Sequence, residues 1–144
     1  MEKLFQLESS IELVKEGKCY DLHNQFDFAG LMFRPDGHRL QVYFLPNAEY
    51  GEGQVAVSIV LDDIDYLEFS PNFGASATDG LNEVGFKSPL DRDHDWLMGE
   101  KHFSSNDHIF IGFDGGAFIR AHCRLVDLVN LDATVVAFLQ PAED

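Results

Sequence analysis

Hydrophobic and polar residues alternate most regularly over residues 54–70, which carry the clearest strand pattern in the chain. The first part of this stretch places larger aliphatic side chains on one strand face and smaller ones on the other. Because both faces are largely apolar, we expect this strand to be central in its sheet or covered by a second layer. The first face holds Val55, Val57, Ile59 and Leu61, and the second holds Ala56, Ser58 and Val60.

Two aspartates interrupt this alternation. Asp62 and Asp63 favour a turn, since short acidic side chains bond nearby backbone groups. A second alternating run follows at residues 66–69, and Pro71 ends it because proline has no backbone N–H for a strand ladder. The pattern therefore predicts a hairpin that turns at the two aspartates.

Two further hairpins are predicted around strong turn sequences. Residues 35–37, Pro-Asp-Gly, combine a preset proline dihedral with a glycine that tolerates positive φ. Residues 114–116, Asp-Gly-Gly, form a hairpin turn of the same kind. The predicted strands are residues 26–33 with 39–45, and residues 109–113 with 117–124.

Helical signals are short. Residues 9–17 predict a helix, because Ser9 and Glu12 have capping-box spacing and Gly17 suits the left-handed position after a helix. Residues 125–131 are compatible with a helical turn. Residues 133–139 are β-branched and aromatic, which predicts a last strand, and residues 141–144 form an acidic tail.

The 72–107 region has no clear periodicity. Loops of this length are uncommon in compact domains, so we expect it either to be functional or to contain short elements, with residues 81–86 and 96–98 as candidates. The whole pattern predicts a single domain, residues 1–144. Its predicted fold is mainly β, an antiparallel sheet or β-sandwich of hairpins with one short N-terminal helix.

The net charge of the chain limits the classes of partner that we expect it to bind. The chain has 25 acidic and 10 basic residues and a formal net charge of −15. Such a charge repels phosphate backbones and anionic lipid, so we expect no nucleic-acid partner and no membrane partner. It is compatible with a basic protein partner, and solubility alone is the alternative explanation.

The expected compartment is the cytoplasm, because no apolar run has the length of a membrane span and no secretory signal begins the sequence. Two cysteines, Cys19 and Cys123, do not make a disulfide framework. We expect both to be free thiols in a reducing compartment.

One acidic cluster has partial metal-site spacing. Asp91, Asp93 and Asp95 occupy alternate positions, like the start of a calcium loop. The sixth loop position, which requires glycine, is Trp96, and the twelfth, which requires glutamate, is His102. We interpret the cluster as a solvated acidic loop, with loose cation binding as the alternative. Trp96, next to these aspartates, is a further candidate binding residue, although a core anchor is the favoured interpretation of a tryptophan.

A cationic cluster is the second candidate binding site. Arg120, His122 and Arg124 share one face of a predicted strand, where they can clamp a carboxylate or phosphate. The alternative is cross-strand pairing with acidic residues. The six histidines do not follow a zinc motif, so no metal and no cofactor are predicted.

The sequence carries no catalytic motif such as Gly-x-Ser-x-Gly. The first hypothesis is a non-enzymatic acidic protein-binding module that neutralises a basic partner such as a toxin. The alternative is a small-ligand-binding protein or enzyme with a site between residues 72–107 and the 109–124 hairpin, which requires a pocket with convergent polar groups there. A subunit of a homo-oligomer is the third hypothesis, which a monomeric elution volume would exclude.

Overall fold

The computed structural model describes residues 1–74 and 80–140, in which ten strands and one α-helix form. Residues 75–79 of the predicted irregular region and the predicted tail, residues 141–144, lie outside the described residues. The elements are β1 (Glu2–Lys3), β2 (Gln6–Leu7), β3 (Glu12–Lys15), β4 (Lys18–Asp21), β5 (Phe26–Arg34), β6 (Arg39–Pro46), β7 (Val57–Phe69), β8 (Leu81–Lys87), β9 (His108–Phe113), β10 (Phe118–Asn130) and α1 (Ala133–Leu139).

Seven strands form the main sheet. Its path is β5-β6-β7-β10-β9-β8, and every neighbouring pair on this path is antiparallel. The short strand β1 pairs in parallel with Leu125 and Val126 of β10, beyond the end of β9. The strands β7 and β10 are the longest, and together they form the middle of the sheet.

A three-stranded sheet, β2-β3-β4, covers one face of the main sheet, which we call the inner face. Leu7, Leu13 and Tyr20 of the small sheet join the same core cluster as inner-face residues of the main sheet. The opposite face, the outer face, carries the candidate site. The buried inner-face residues include Leu40, Val42, Phe44, Ile59, Leu61, Phe86, Ile109, Ile111, Ile119, Ala121 and Cys123.

The main sheet is curved, so its two end strands approach each other at one end. His23, just before β5, has its Nδ1 atom 2.6 Å from the carbonyl oxygen of Leu81 in β8. The ring of Phe28 lies 4.7 Å from that of Phe113 between centroids. This curvature closes the inner core, because aromatic side chains from both ends of the sheet meet there.

The mainly β prediction and both turn-based hairpins are confirmed. Strands β5 and β6 pair as predicted, with a bulge between Phe28 and Gly30. Strands β9 and β10 pair on either side of the Asp-Gly-Gly turn. The predicted element at residues 81–86 is β8, and Met98 adds an isolated bridge to Phe86.

The predicted hairpin at Asp62 and Asp63 is wrong. Strand β7 continues through both residues, and Asp63 takes φ 57°, a left-handed conformation that aspartate tolerates. The pairing with β10 shifts register between His122 and Cys123, where Asp65 is an extra residue in β7. The helical turn at residues 125–131 is also wrong, because those residues continue β10 and pair with the first half of β7.

The predicted N-terminal helix at residues 9–17 and the predicted last strand at residues 133–139 are also wrong. Residues 9–17 contain strand β3 and a turn, because Glu16 and Gly17 adopt positive φ and reverse the chain into β4. Ser9 Oγ does bond Glu12, as a capping box would, yet packing of Leu13 into the core decides the conformation. Residues 133–139 form helix α1, capped by Asp132, rather than a strand. Among the described helices, none is long and apolar enough to cross a membrane.

Candidate functional site

The candidate site is the 88–96 loop, residues 88–96, which lies against the outer face of β9 and β10. After the loop, the chain comes back against β8 at Gly85, where an added Cβ would lie 2.6 Å from Leu97 Cβ. This close approach lets Phe86 and Met98 exchange backbone hydrogen bonds of 2.9 and 2.8 Å. Side chains larger than hydrogen at Gly85 would push the end of the loop away from β8.

Arg120, on the outer face of β10, fixes the middle of the 88–96 loop. Its side chain is only 3% exposed. One terminal nitrogen donates to the carbonyls of Ser88 (3.0 Å) and Asp91 (2.7 Å), and the other donates to the carbonyl of Asp93 (3.1 Å). Its Nε donates to Nδ1 of His108 at 2.9 Å. The guanidinium therefore uses its donors on protein acceptors and has little capacity left for an external anion.

The contact with Arg120 determines the protonation of His108. Since Nδ1 accepts a hydrogen bond, the neutral ring carries its proton on Nε2. Burial of the ring, followed by the positive charge of Arg120, lowers the pKa of His108 below its ordinary value. Tyr66 stacks on this ring at 4.6 Å between centroids. His108 is thus a neutral acceptor in the folded protein at pH 7.

Lys87 is a second buried cation, only 1% exposed, and it neutralises the acidic cluster. Its Nζ lies 2.7 Å from a carboxylate oxygen of Asp93 and 3.3 Å from one of Asp91, and it donates to the carbonyl of Asp95. Burial alone would lower the pKa of Lys87, but the hydrogen bonds that its ammonium donates to Asp93 and Asp91 outweigh burial, and the pKa is raised. The ammonium lies against the residues that would supply the first three ligands of a calcium loop. Within residues 1–74 and 80–140, no three His, Cys, Asp or Glu side chains lie close enough together to hold a metal ion.

Trp96 does not anchor the core, so that prediction is wrong. Its side chain is 92% exposed, and Leu90 on the same loop is 90% exposed. Trp96 has φ 59°, a conformation that a bulky residue adopts at a cost of about 1–3 kcal/mol. The sharp turn that calcium loops make with glycine is therefore present here, and in this chain it presents an indole to solvent.

The predicted cationic cluster is divided between different partners. Arg120 bonds the 88–96 loop, as described above. His122 Nδ1 lies 2.6 Å from Asp65, whose pKa this hydrogen bond lowers, and Arg124 lies 3.5 Å from Asp63. Both acids belong to the neighbouring strand β7, so these two side chains make the cross-strand pairs of the alternative interpretation.

An open cleft of about 340 Å³ lies beside the 88–96 loop, where the loop meets the outer face. It lies between the 72–107 region and the last hairpin, the place where the sequence predicts a ligand site, and a ligand site there stays a prediction. Tyr66 donates to Glu68 at 2.9 Å on one wall. The other lining residues are Pro89, Asp91, Arg92, His94, His108 and Arg120.

The buried, neutral His108 predicts a pH dependence of stability. The free energy of unfolding should fall as the pH drops from about 7 to about 5, because the unfolded ring, with a pKa of about 6.5, binds a proton that the folded ring resists. In the His108→Asn variant the amide oxygen can still accept from Arg120, and the dependence should flatten. Urea unfolding at several pH values tests this expectation. Parallel pH profiles for the two proteins would contradict it.

Sequence reasoning missed Lys87 and Asp65 as members of the site. A signal for Lys87 existed, because strand alternation beyond the inner-facing Phe86 places it on the outer face, close in sequence to three aspartates. Asp65 carried no signal, since its contact depends on the register shift between β7 and β10. Against known proteins, no family model, no curated protein and no solved structure matches this chain.

Proposed function

We propose that this protein is a non-enzymatic binding module that captures a basic protein partner through the 88–96 loop. The observation that carries the proposal is the solvent-exposed Trp96 on a loop held by two buried cations, Lys87 and Arg120. Tryptophan is enriched among the residues that dominate binding energy at protein interfaces. An indole left almost wholly in water is therefore best explained as an anchor for a partner surface.

Preorganisation supports the same proposal. Seven polar contacts join Lys87 and Arg120 to the loop or to His108, so the loop backbone has one well-defined path. His94 adds packing from the loop side, with its ring 4.2 Å from that of Phe118. A loop that is already ordered loses less conformational entropy on binding, which improves affinity.

The charge of the chain supports a basic partner. With a net charge of −15, the protein attracts positively charged surfaces over the Debye length, about 8–10 Å at physiological salt. Such attraction mainly raises the association rate, while apolar anchors such as Trp96 and Leu90 slow dissociation. The two contributions respond differently to salt, which makes them separable.

The experiment compares capture by wild-type protein, Trp96→Ala and Tyr50→Ala, the last being a matched control because Tyr50 is an exposed aromatic residue elsewhere. Basic proteins retained by the wild type and the control but lost with Trp96→Ala are purified and titrated. We expect Trp96→Ala to weaken the purified interaction by at least about tenfold. Raising the salt should slow association of all three proteins.

Two results would count against this function. One is that wild type and Trp96→Ala retain the same proteins with equal affinity. The other is that the retained proteins are acidic, or that their association rates do not change with salt, since the net charge would then have no part in recognition.

A further inference from the structure

An apolar groove lies on the outer face of the main sheet, between β5, β6 and helix α1. Its volume of about 520 Å³ is within the range of about 300–1,000 Å³ that is typical of small-molecule sites. Met32 and Tyr43 line it from the sheet, and Val135, Phe138 and Leu139 line it from the helix. A lining made mostly of hydrocarbon favours an apolar ligand, because burying that surface removes it from water.

Helix α1 forms one wall of the groove, although none of its residues is buried. Phe138 of the helix is 80% exposed, and Met32 on the sheet side is 44% exposed. A helix of seven residues gains little stability from its own hydrogen bonds. An apolar ligand between α1 and the sheet would bury side chains on both walls, so it would also stabilise the helix.

Two arginines lie beyond one end of this groove. Met32 and Gln41 are directly opposite each other in β5 and β6. The next pair on the same face, about 7 Å further along the strands, is Arg34 and Arg39. Like charges directly opposite each other in a sheet repel, so an anion beside the two guanidinium groups would be stabilising.

The described acidic residues neutralise this arginine pair only in part. Asp62 of β7 lies 3.0 Å from Nε of Arg39, but that N–H makes no hydrogen bond. Within residues 1–74 and 80–140, the side chain of Arg34 makes no ion pair. The acids of the same hairpin are Asp27, at the opposite end of β5, and Asp36, in the turn. Donors of the arginine pair are therefore available to a ligand.

Gln41 adds a neutral donor at the same end. The hydroxyl of Tyr43 donates to Oε1 of Gln41 at 3.0 Å, which leaves the amide nitrogen of Gln41 as a donor. Gln41 belongs to the last pair that lines the groove before the arginines. The groove therefore changes from an apolar lining to hydrogen-bond donors and positive charge in one direction, which is the pattern that an anionic amphiphile requires.

We propose that this groove binds a long-chain carboxylate of the fatty-acid type, with its tail along α1 and its carboxylate at Arg34, Arg39 and Gln41. Arginine holds carboxylates through paired N–H donors. A carboxylate is favoured over a phosphate group or an anionic membrane because it brings a single negative charge, and the net charge of −15 on the chain repels every additional one. The groove shares no residue with the 88–96 loop, so this inference does not depend on the capture of a basic partner.

The test titrates the full chain with decanoate, below its critical micelle concentration, in isothermal titration calorimetry. We expect saturable binding of one decanoate per chain with a Kd of about 100 μM or tighter. Decanol has the same tail without the charge and should bind at least about fivefold more weakly. Acetate has the carboxylate without the tail and should give no measurable binding.

Arg34→Glu separates recognition of the carboxylate from stability of the fold. The new glutamate faces Arg39 across the strands, so we expect Tm to rise by about 1–3 °C. Decanoate affinity should fall by at least about tenfold, because the glutamate repels the ligand and occupies Arg39. Arg124→Glu, on β10, makes the same change in net charge and should leave the affinity within about twofold of wild type. Phe138→Ala should weaken binding by at least about threefold, whereas Tyr50→Ala, also an exposed aromatic residue, should not.

Four results would overturn this site. The most direct is that decanoate gives no saturable heat of binding to the wild-type protein. Equal affinities for decanoate and decanol would show that the arginine pair takes no part. Equal losses in Arg34→Glu and Arg124→Glu would show that net charge alone, rather than the position of Arg34, governs binding. Tighter binding of decyl phosphate, or of phosphatidylglycerol vesicles, than of decanoate would refute the carboxylate as the occupant.

Discussion

Replacing Arg120 with alanine is expected to lower the free energy of unfolding by about 3 kcal/mol. The substitution removes hydrogen bonds to three loop carbonyls and to His108 and leaves a void under the loop. Hydrogen bonds from a charged donor contribute more than neutral ones, and their buried acceptors are costly to leave unpaired. Water entering the opened loop will recover part of the loss, which keeps the expected value below the sum of the individual bonds.

Two further variants separate the geometry of Arg120 from its charge. Arg120→Lys keeps the charge but lacks the planar fork that reaches several carbonyls at once, so we expect it to recover less than half of the loss. Arg124→Ala removes an exposed arginine from the same strand face and should change stability by less than about 0.5 kcal/mol. Urea unfolding measures all three. Equal losses for Arg120→Ala and Arg124→Ala would contradict the role assigned to Arg120.

Replacing Lys87 with methionine is expected to cost about 2 kcal/mol and to loosen the loop. Methionine retains most of the buried stem, so the change removes mainly the ammonium. Asp91 and Asp93 then repel each other, and the carbonyl of Asp95 loses its donor. Since both carboxylates are more than half exposed, water screens part of the effect.

Loop mobility has a direct probe, because Trp96 is the single tryptophan of the chain. In Lys87→Met we expect lower steady-state anisotropy of its fluorescence, since the loop backbone next to Trp96 is no longer fixed. Lys101→Met, an exposed lysine beyond the loop, is the matched control and should change neither stability nor anisotropy. Unchanged anisotropy in Lys87→Met would show that Arg120 alone fixes the loop.

The alternation of apolar and polar residues predicted most of the strands correctly, whereas the short segment at residues 9–17 was predicted wrongly. The alternating runs that became β6, β7, β9 and β10 each place an apolar face in the core, and burial of that face outweighs weaker local preferences. The capping pattern at Ser9 and Glu12 formed its local bonds inside a turn. Short segments have little intrinsic preference, so contacts distant in sequence select their conformation.

The candidate site was predictable only in part. The aspartates Asp91, Asp93 and Asp95 were interpreted as a solvated acidic loop, whereas the structure places a buried positive charge against them. Lys87 supplies it because β8 ends directly under the loop. Trp96 was assigned to the core from the average behaviour of tryptophan, and no local pattern contradicts that average.

The sequence by itself determined that this chain is acidic, mainly β and built from antiparallel hairpins, because alternation and turn residues act over a few neighbouring positions. Only the tertiary structure decided which charges meet: Lys87 and Arg120 with the loop, and His122 with Asp65. It also decided that the indole of Trp96 faces solvent. Such contacts join residues far apart in the chain, and register, bulges and curvature, which set them, are properties of the whole sheet.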